Sequence, residues 1–262
     1  MKIKIKNPID KIYQLKRNNE AFTLISTTLT KNIITESNHY YYTDANGLKM
    51  SELNLIKTVK DYVINNKIEA VLNKYKPQYI NKGKIKNATY KNELFEIDLK
   101  SAYWNFAYKN GFISTEIYLK GNNTKLIRKK ARLIALGNLA KVQTVFEYNG
   151  SEFLKPTEIK SPTENIFFKV SQQTDDIMNN LKLIADENYL FYWVDAIFIQ
   201  GLKAKNLIEE YLIDNLIDFK TIPIDKILKT RSYIKVTDSH HEQPRPFIFE
   251  SPNIKDFSII VD

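Results

Sequence analysis

The sequence predicts an α+β fold: an antiparallel sheet with helices on one face, preceded by a β/α extension. Three observations carry that expectation. From residue 94 onward the elements run strand, helices, hairpin, helix, strand, an order that suits one sheet covered by helices. Two very apolar runs, Tyr189–Val194 and Ile197–Gln200, close on Asp195 and Ala196 as a tight hairpin, and Asn149-Gly150 marks a second hairpin. The composition is that of a packed chain: 262 residues, 43% hydrophobic and 26% charged, with 7 Gly and 8 Pro, which excludes collagen, a disordered tail and a low-complexity linker.

Residues 1–50 read as strands. Lys2, Ile3, Lys4 and Ile5 alternate, Ala21–Ile25 and His39–Tyr42 are β-rich, and Asp44-Ala45-Asn46-Gly47 is a turn. Ser51 is an N-cap candidate for a helix running to about Tyr75, striped by Leu55, Ile56, Val59 and Val63 and stopped by Pro77. Gln78–Tyr90 is polar and basic and reads as a connector. Leu94–Leu99 is a short strand, and Ala102–Asn110 a helix closed by Gly111. Thr124–Val142 reads as a strongly basic helix, followed by the hairpin Thr144–Tyr148 and Glu152–Leu154.

Thr174–Glu187 reads as a helix capped by Thr174, with Asp175 and Asp176 at its positive end. Leu202–Leu216 is an amphipathic helix, Ile227–Val236 a strand, and the tail holds two short β runs, Phe247–Glu250 and Phe257–Val261. No internal repeat is visible. The expected organisation is an N-terminal β/α extension over 1–84, a main domain over 85–240 that includes the basic helix 124–142, and a C-terminal β tail over 241–262.

Thirty-nine Lys+Arg against thirty Asp+Glu leave a net charge of +9, which favours a polyanionic partner. AT-rich coding would produce the same richness in Lys, Asn, Ile and Tyr without selection for binding. The absence of Cys excludes disulfides, thiolate metal sites and cysteine nucleophiles. The 3 His leave little for a histidine-built metal site, and the adjacent His240 and His241 receive no role. No apolar run approaches the roughly 18–20 residues of a membrane span, and the start MKIKIKNPID lacks the apolar core of a secretory signal. A soluble, cytoplasmic protein is expected.

Two acidic residues stand out. Asp98 ends an apolar strand and Asp195 sits inside an apolar hairpin, surroundings in which an ionised carboxylate is costly unless paired or metal-bound. Two such strands with neighbouring tips would make a hard, oxygen-lined site suited to Mg²⁺. Two ions there can clamp the attacking and leaving oxygens of an in-line phosphoryl displacement.

The residues around them carry a resemblance. Asp98-Leu99-Lys100-Ser101-Ala102-Tyr103-Trp104-Asn105 resembles motif A of family B DNA polymerases, Asp-x-x-Ser-Leu-Tyr-Pro-Ser. Phe191-Tyr192-Trp193-Val194-Asp195-Ala196-Ile197-Phe198-Ile199 is similar to their motif C, Tyr-Gly-Asp-Thr-Asp-Ser followed by apolar residues. Asp195 then takes the second, metal-binding Asp, Trp193 stands for the first Asp, and Ala196 for the Ser. Lys129-Lys130-Ala131-Arg132-Leu133-Ile134-Ala135-Leu136-Gly137 resembles motif B, Lys-x-x-x-Asn-Ser-x-Tyr-Gly, keeping the Lys and Gly but not the Asn, Ser and Tyr. The three partial motifs fall in order on strand, basic helix and hairpin, over roughly residues 90–236.

What the resemblance implies is a palm with reduced fingers. Asp98 and Asp195, with the Leu99 backbone carbonyl, would bind two Mg²⁺ ions, or Mn²⁺ in their place. Tyr103 would be the steric gate beneath the incoming sugar, and Ser101 part of the nucleotide site. Lys125, Arg128, Lys129 and Arg132 recur at three- and four-residue steps along one helix side and would hold the triphosphate, Lys129 foremost. Lys229, Arg231 and Tyr233 resemble the Lys-x-Tyr element that grips the primer strand, with Arg231 in place of the Lys. Glu96, two residues before Asp98 on the same strand face, is an auxiliary ligand or, more plainly, a solvated residue.

The expected partners are a DNA primer-template and deoxynucleoside triphosphates, with other replication proteins and no membrane. Analogy adds a mobile element or phage as the setting. Two alternatives stay open. Asp98–Trp104 also looks like motif A of reverse transcriptases, although Val194 stands where their Tyr-x-Asp-Asp has its first Asp. A palm lacking several polar residues of motifs B and C would also serve as a catalytically degenerate nucleic-acid-binding replication factor.

Overall fold

Asn7 and Pro8 open a helix near the start of the chain. The Asn7 side chain accepts the Ile9 N–H at 2.9 Å, and Pro8, whose fixed φ suits the first helical turn, begins α1 (Pro8–Arg17). The expectation of strands alone over 1–50 overlooked that start signal. The structure, a computed structural model, describes residues 1–27, 30–43, 47–72, 74–81, 83, 85–231, 233–241 and 243–248. The chain is α+β with largely antiparallel sheets. The described residues form two compact units: unit 1 takes Met1–Val71 and Ala107–Phe167, and unit 2 takes Leu72–Phe106 and the described residues from Phe168 to Ile248. The expected organisation was consecutive; here 107–167, with the expected fingers segment, clusters with the N-terminal residues.

In unit 1, strands β1 (Lys2–Lys4), β2 (Phe22–Ser26), β3 (Thr30–Ile34), β4 (His39–Thr43), β8 (Val142–Asn149) and β9 (Glu152–Lys160) form a sheet in the order β1-β4-β3-β2-β8-β9. Only the β1–β4 pairing within it is parallel. Ile12 and Leu15 of α1 pack with Phe22, Leu24, Ile33 and Tyr148 on one sheet face. Register explains that grouping, since Leu24 lies opposite both Ile33 and Phe146, and Phe22 opposite Tyr148.

Two helix expectations in unit 1 change. Helix α2 (Met50–Asn65) ends ten residues before Tyr75, because Lys67 takes a left-handed φ of 49° and the Asn66 side chain donates to the Tyr62 carbonyl at 2.8 Å. The basic segment 124–142 is not one helix. After α4 (Thr115–Asn122) the chain turns, and α5 covers only Lys129–Gly137, since Arg128 is extended at φ −80°, ψ 154°.

In unit 2, β5 (Ile80–Asn81), β7 (Leu94–Leu99), β10 (Tyr189–Trp193), β11 (Ala196–Gln200) and β12 (Phe219–Ile224) make an antiparallel sheet in the order β12-β7-β11-β10-β5. Both its faces are covered. On one, Thr221 donates to Glu209 of α7 (Leu202–Asp214) at 2.6 Å and Lys205 of α7 lies over Phe95. Asn180 of α6 (Glu164–Ala185) donates to Tyr211 of α7 at 3.1 Å, so α6 lies beside α7. On the other face lies a second sheet, β15-β14-β13-β6, built from β6 (Thr89–Tyr90), β13 (Lys226–Lys229), β14 (Tyr233–Thr237) and β15 (Arg245–Ile248). Its Ile227, Ile234 and Val236 join Leu94, Phe191, Phe198 and Ile222 in one core. Helix α3 (Ala102–Lys109) follows β7, and the chain passes between the units within α3 and within α6.

Further differences concern 164–248. The expected strand Ile227–Val236 is the hairpin β13–β14, whose tip closes through Thr230: its N–H donates to the Tyr233 carbonyl at 2.9 Å. Helix α6 begins ten residues before Thr174, so Thr174 and Asp175 lie inside the helix rather than at its cap. The turn residues Asp44, Ala45 and Asn46 and the β run Phe257–Val261 lie outside the described residues. Among the described residues no helix is long and apolar enough to cross a membrane.

Candidate active site

Asp98 is the penultimate residue of β7, and Asp195 is the second residue of the two-residue turn joining β10 to β11. The strands are neighbours: Asp98 lies opposite Ala196, and one step on, the Leu99 N–H donates to the Asp195 carbonyl at 2.9 Å. Sequence positions nearly a hundred apart are thus brought to adjoining strand ends by one hydrogen-bonded register. Both residues are half-buried. Leu99 itself is fully buried, with its N–H in the ladder to Asp195 and Phe219 opposite it on the far strand.

Backbone strain brackets the pair. Val194, just before Asp195, has φ 56°, and Ser101, three residues after Asp98, has φ 50°. A β-branched residue in the left-handed region is a genuine outlier, and such outliers gather where the surrounding structure over-determines a conformation. Here the Val194 N–H donates to the Tyr79 carbonyl at 2.6 Å, which holds the turn. The Ser101 carbonyl accepts from Asn105 N–H at 3.0 Å, so Ser101 starts α3 immediately after the strand.

Near Asp195 the predicted Tyr103 joins a buried polar cluster whose other members sequence reasoning missed. Tyr103 on α3 is 7% exposed, and its hydroxyl is 3.5 Å from Ser171 on α6. Burial first, then the nearby Tyr79, Asp175 and Asp195, push its phenol up to about 12, against the Ser171 bond. One turn on from Ser171, the buried Asp175 accepts from the Tyr75 hydroxyl and from the Gln78 N–H at 2.7 Å. Burial, and then Asp175, raise the Tyr75 phenol as well. A readable signal existed: Val170, Met178, Leu181 and Ala185, with Thr174 between them, form a buried stripe at three- and four-residue steps, and Ser171 and Asp175 lie beside it once the helix is started at Glu164.

Other predicted residues fall into place differently. Glu96 is no free ligand: buried at 5% exposure, it is held through both oxygens by the Arg245 guanidinium, which also donates to the buried Asp238 at 2.8 Å. Asp238 is held below the usual carboxylate range, since bonds from His241, Arg245 and the His240 N–H outweigh the opposing effect of burial. His240 and His241, left without a role, belong to this network.

Across the sheet, Trp193, Ala196, Asp98 and Lys220 form one row, and in the covering sheet Lys229, Ile234 and Phe247 form another. Phe247 packs edge-on against Trp193 at 5.2 Å and so ties the two rows together. The hairpin tip with Lys229, Arg231 and Tyr233 therefore stands at the same end of unit 2 as Asp98 and Asp195. Arg231 is exposed and Tyr233 is 36% exposed, while Lys229 is half-buried. Lys220, directly opposite Asp98 and exposed, had no sequence signal at all.

The four basic residues of the expected helix stripe do not share a helix side. Lys125 lies in the turn before α5, Arg128 precedes its first residue, and only Lys129 and Arg132 are on it. Arg128 is committed elsewhere: its Nε donates to Glu52 at 2.7 Å, its backbone N–H at 3.1 Å, and its Nη2 reaches Glu52 and the Gly47 carbonyl. Arg132 donates to Asn122 at 2.5 Å. Lys125 and Lys129 are exposed.

The oxygen donors of Asp98 and Asp195 are of the type that magnesium or manganese prefers. Glu96 and Asp175 are occupied by protein donors, and the Asp195 carbonyl is used by the ladder. Among the described residues no group of three or more His, Cys, Asp or Glu is placed to hold a metal ion. Magnesium needs no such cage, since one or two carboxylates and substrate oxygens are its usual protein-side partners. No protein-family model and no curated protein matches the chain.

Proposed function

We propose that unit 2 is the palm of a small template-directed DNA polymerase, extending a primer 3′ end by deoxynucleotides. The observation that carries this is the pairing of β7 with β11, which sets Asp98 and Asp195 at adjoining strand ends. Divalent magnesium or manganese held by these two carboxylates would neutralise charge on the attacking and leaving oxygens.

The chain's own residues supply the rest. A sheet buried on both faces fixes the two carboxylates on rigid elements, which a site of this kind requires. Lys220, opposite Asp98, offers a cation where phosphate charge develops. Arg231 and Tyr233, on the exposed hairpin tip at that end, are suited to the backbone and sugar of a primer strand. Lys125 and Lys129, which the resemblance to motif B gave to the triphosphate, belong to unit 1. Tyr103 keeps the sugar-selecting role that motif A implies, with its phenol in the field of Asp195. DNA, deoxynucleoside triphosphates, other replication proteins and the cytoplasm are the matching partners and setting.

Primer extension on DNA and RNA templates, with deoxy- and ribonucleotides, tests this. Magnesium-dependent addition of deoxynucleotides on DNA is expected, and Asp98→Asn or Asp195→Asn should each lower it by about 10³-fold, the scale of losing a group aimed at developing charge. Tyr103→Ala should admit ribonucleotides while Tyr103→Phe excludes them. Wild-type extension from both aspartate variants overturns the proposal. One observation favours the degenerate alternative: Trp193, at the family's first motif C Asp, packs into the core on Phe247. Salt-sensitive DNA binding without any extension would decide for it.

A further inference from the structure

Unit 1 holds two cavities that share Asn138 and Lys141 as lining residues. The larger, about 550 Å³, is walled by Ile134, Ala140 and Val142, with Lys130 on its side. The smaller, about 200 Å³, adjoins Asn138 and Lys141 as well and is lined by Lys60 and Ser161. The larger volume lies within the range of roughly 300–1,000 Å³ in which proteins seat small molecules.

Lysines line both cavities. Among the described residues Lys60, Lys130 and Lys141 take part in no ion pair. Lys141 is half-buried, and burial first, then the like charge of Lys60, lower its ammonium below the ordinary value. A cation taken partly out of water beside a second cation destabilises the free chain, and an anion between them removes that cost. The wall below is apolar, so the complementary ligand has an apolar body as well as negative charge.

We propose that this double cavity binds a small phosphorylated molecule of mononucleotide size. Its phosphate lies on Lys141, Lys60 and Lys130, its ring against Ile134 and Val142, and Asn138 at the junction offers both a donor and an acceptor. The site is separate from the motif B stripe, because Lys130, Ile134 and Gly137 recur at four- and three-residue steps on a different side of α5 from Lys129 and Leu133. It lies wholly in unit 1, whereas Asp98 and Asp195 are in unit 2, and it does not depend on polymerase activity.

The test uses the full chain and AMP as probe, with equilibrium dialysis for affinity and thermal unfolding for coupling. AMP is expected to raise the wild-type Tm, and adenosine or inorganic phosphate alone to bind at least about tenfold more weakly, since each lacks half of the complementarity. Lys141→Met should weaken AMP by about tenfold or more, the scale of one lost charge-assisted bond, while leaving the ligand-free Tm unchanged or higher. Lys60→Met, at an exposed position, gives the same loss without disturbing the hollow. Lys155→Met, on the exposed strand β9 away from both cavities, should leave AMP binding unchanged.

An equal loss from Lys155→Met, or no loss from Lys141→Met and Lys60→Met, overturns the proposal. So does a single-stranded oligonucleotide that binds through these lysines and is not displaced by AMP, which would mark a nucleic-acid groove.

Discussion

Each unit buries a glutamate and answers it with an arginine from far along the chain, but the two solutions differ. In unit 1, Glu52 at the start of α2 is 0% exposed, and its oxygens take the Lys49 N–H at 2.8 Å, the Arg128 N–H and the Arg128 guanidinium. One carboxylate meets one guanidinium whose other side stays in solvent, 47% exposed. In unit 2, Arg245 serves two buried carboxylates, Glu96 and Asp238, with His241 adding a bond at 2.7 Å, while Arg245 Nε is buried without a hydrogen-bond partner among the described residues. The first is a closed clamp on a helix end. The second is a crowded network between two sheets, in which two buried carboxylates share one guanidinium. Within the double-covered sheet of unit 2, Glu96 is thus held by a protein cation, and this is why it is unsuited to a metal although it shares a strand face with Asp98.

The largest effect expected from this contrast is at Arg245. Arg245→Leu leaves Glu96 and Asp238 buried together without their common cation, and removing one member of a buried ionic group costs on the order of 3 kcal/mol. Urea unfolding would read this as a lower midpoint. Glu96→Leu with Arg245→Leu should be less destabilised than Arg245→Leu alone, because the double change leaves one fewer orphaned charge. An equal or greater loss in the double variant would show that the network is held by packing and not by charge.

A smaller effect follows for Glu52 and is visible in pH. The Arg128 guanidinium, opposed by burial and helped by the Lys49 and Arg128 N–H groups, holds the Glu52 carboxyl down to about 2. A group depressed in the folded state stabilises it fully above the unfolded pKa, and that contribution disappears as pH falls through the folded value. Stability tied to Glu52 should therefore be present at neutral pH and lost between about 4.5 and about 2. Asp238 contributes in the same direction. Glu52→Gln should lower Tm by several degrees at pH 7 and by little near pH 2, and an unchanged difference across that window would detach the clamp from stability.

The same contrast explains what could be read in advance. The strands of unit 2 were legible because a sheet covered on both faces demands continuous apolar runs: Leu94–Leu99 was expected and found with those bounds, and the hairpin around Asp195 shifted by a residue. Unit 1 was harder. Its sheet is assembled from 2–43 and 142–160, and no local pattern says that β2 pairs with β8. Arg128 read as part of a basic helix because its spacing allowed it, whereas a buried glutamate 76 residues earlier pulls it out of helical geometry. Of the candidate site, Asp98 and Asp195 were legible as acids in apolar runs. Tyr75, Ser171 and Asp175 were not, because their burial depends on where α6 begins, and Lys220 was not, because only cross-strand register brings it beside Asp98.

The smallest effect sharpens the contrast at the site itself. Val194 holds φ 56°, a region that costs a β-branched residue about 1–2 kcal/mol and that asparagine tolerates through its short polar side chain. Val194→Asn should therefore raise unfolding stability by about 1 kcal/mol, less whatever packing the half-buried valine contributes. If unit 2 is the polymerase palm proposed above and the strain serves to aim Asp195, the more stable variant should extend primers more slowly, with the loss in kcat and not in KM for the nucleotide. A variant that gained stability and kept its rate would show that the Val194 N–H bond to Tyr79 alone fixes the turn, and that unit 2 tolerates the strained residue without using it.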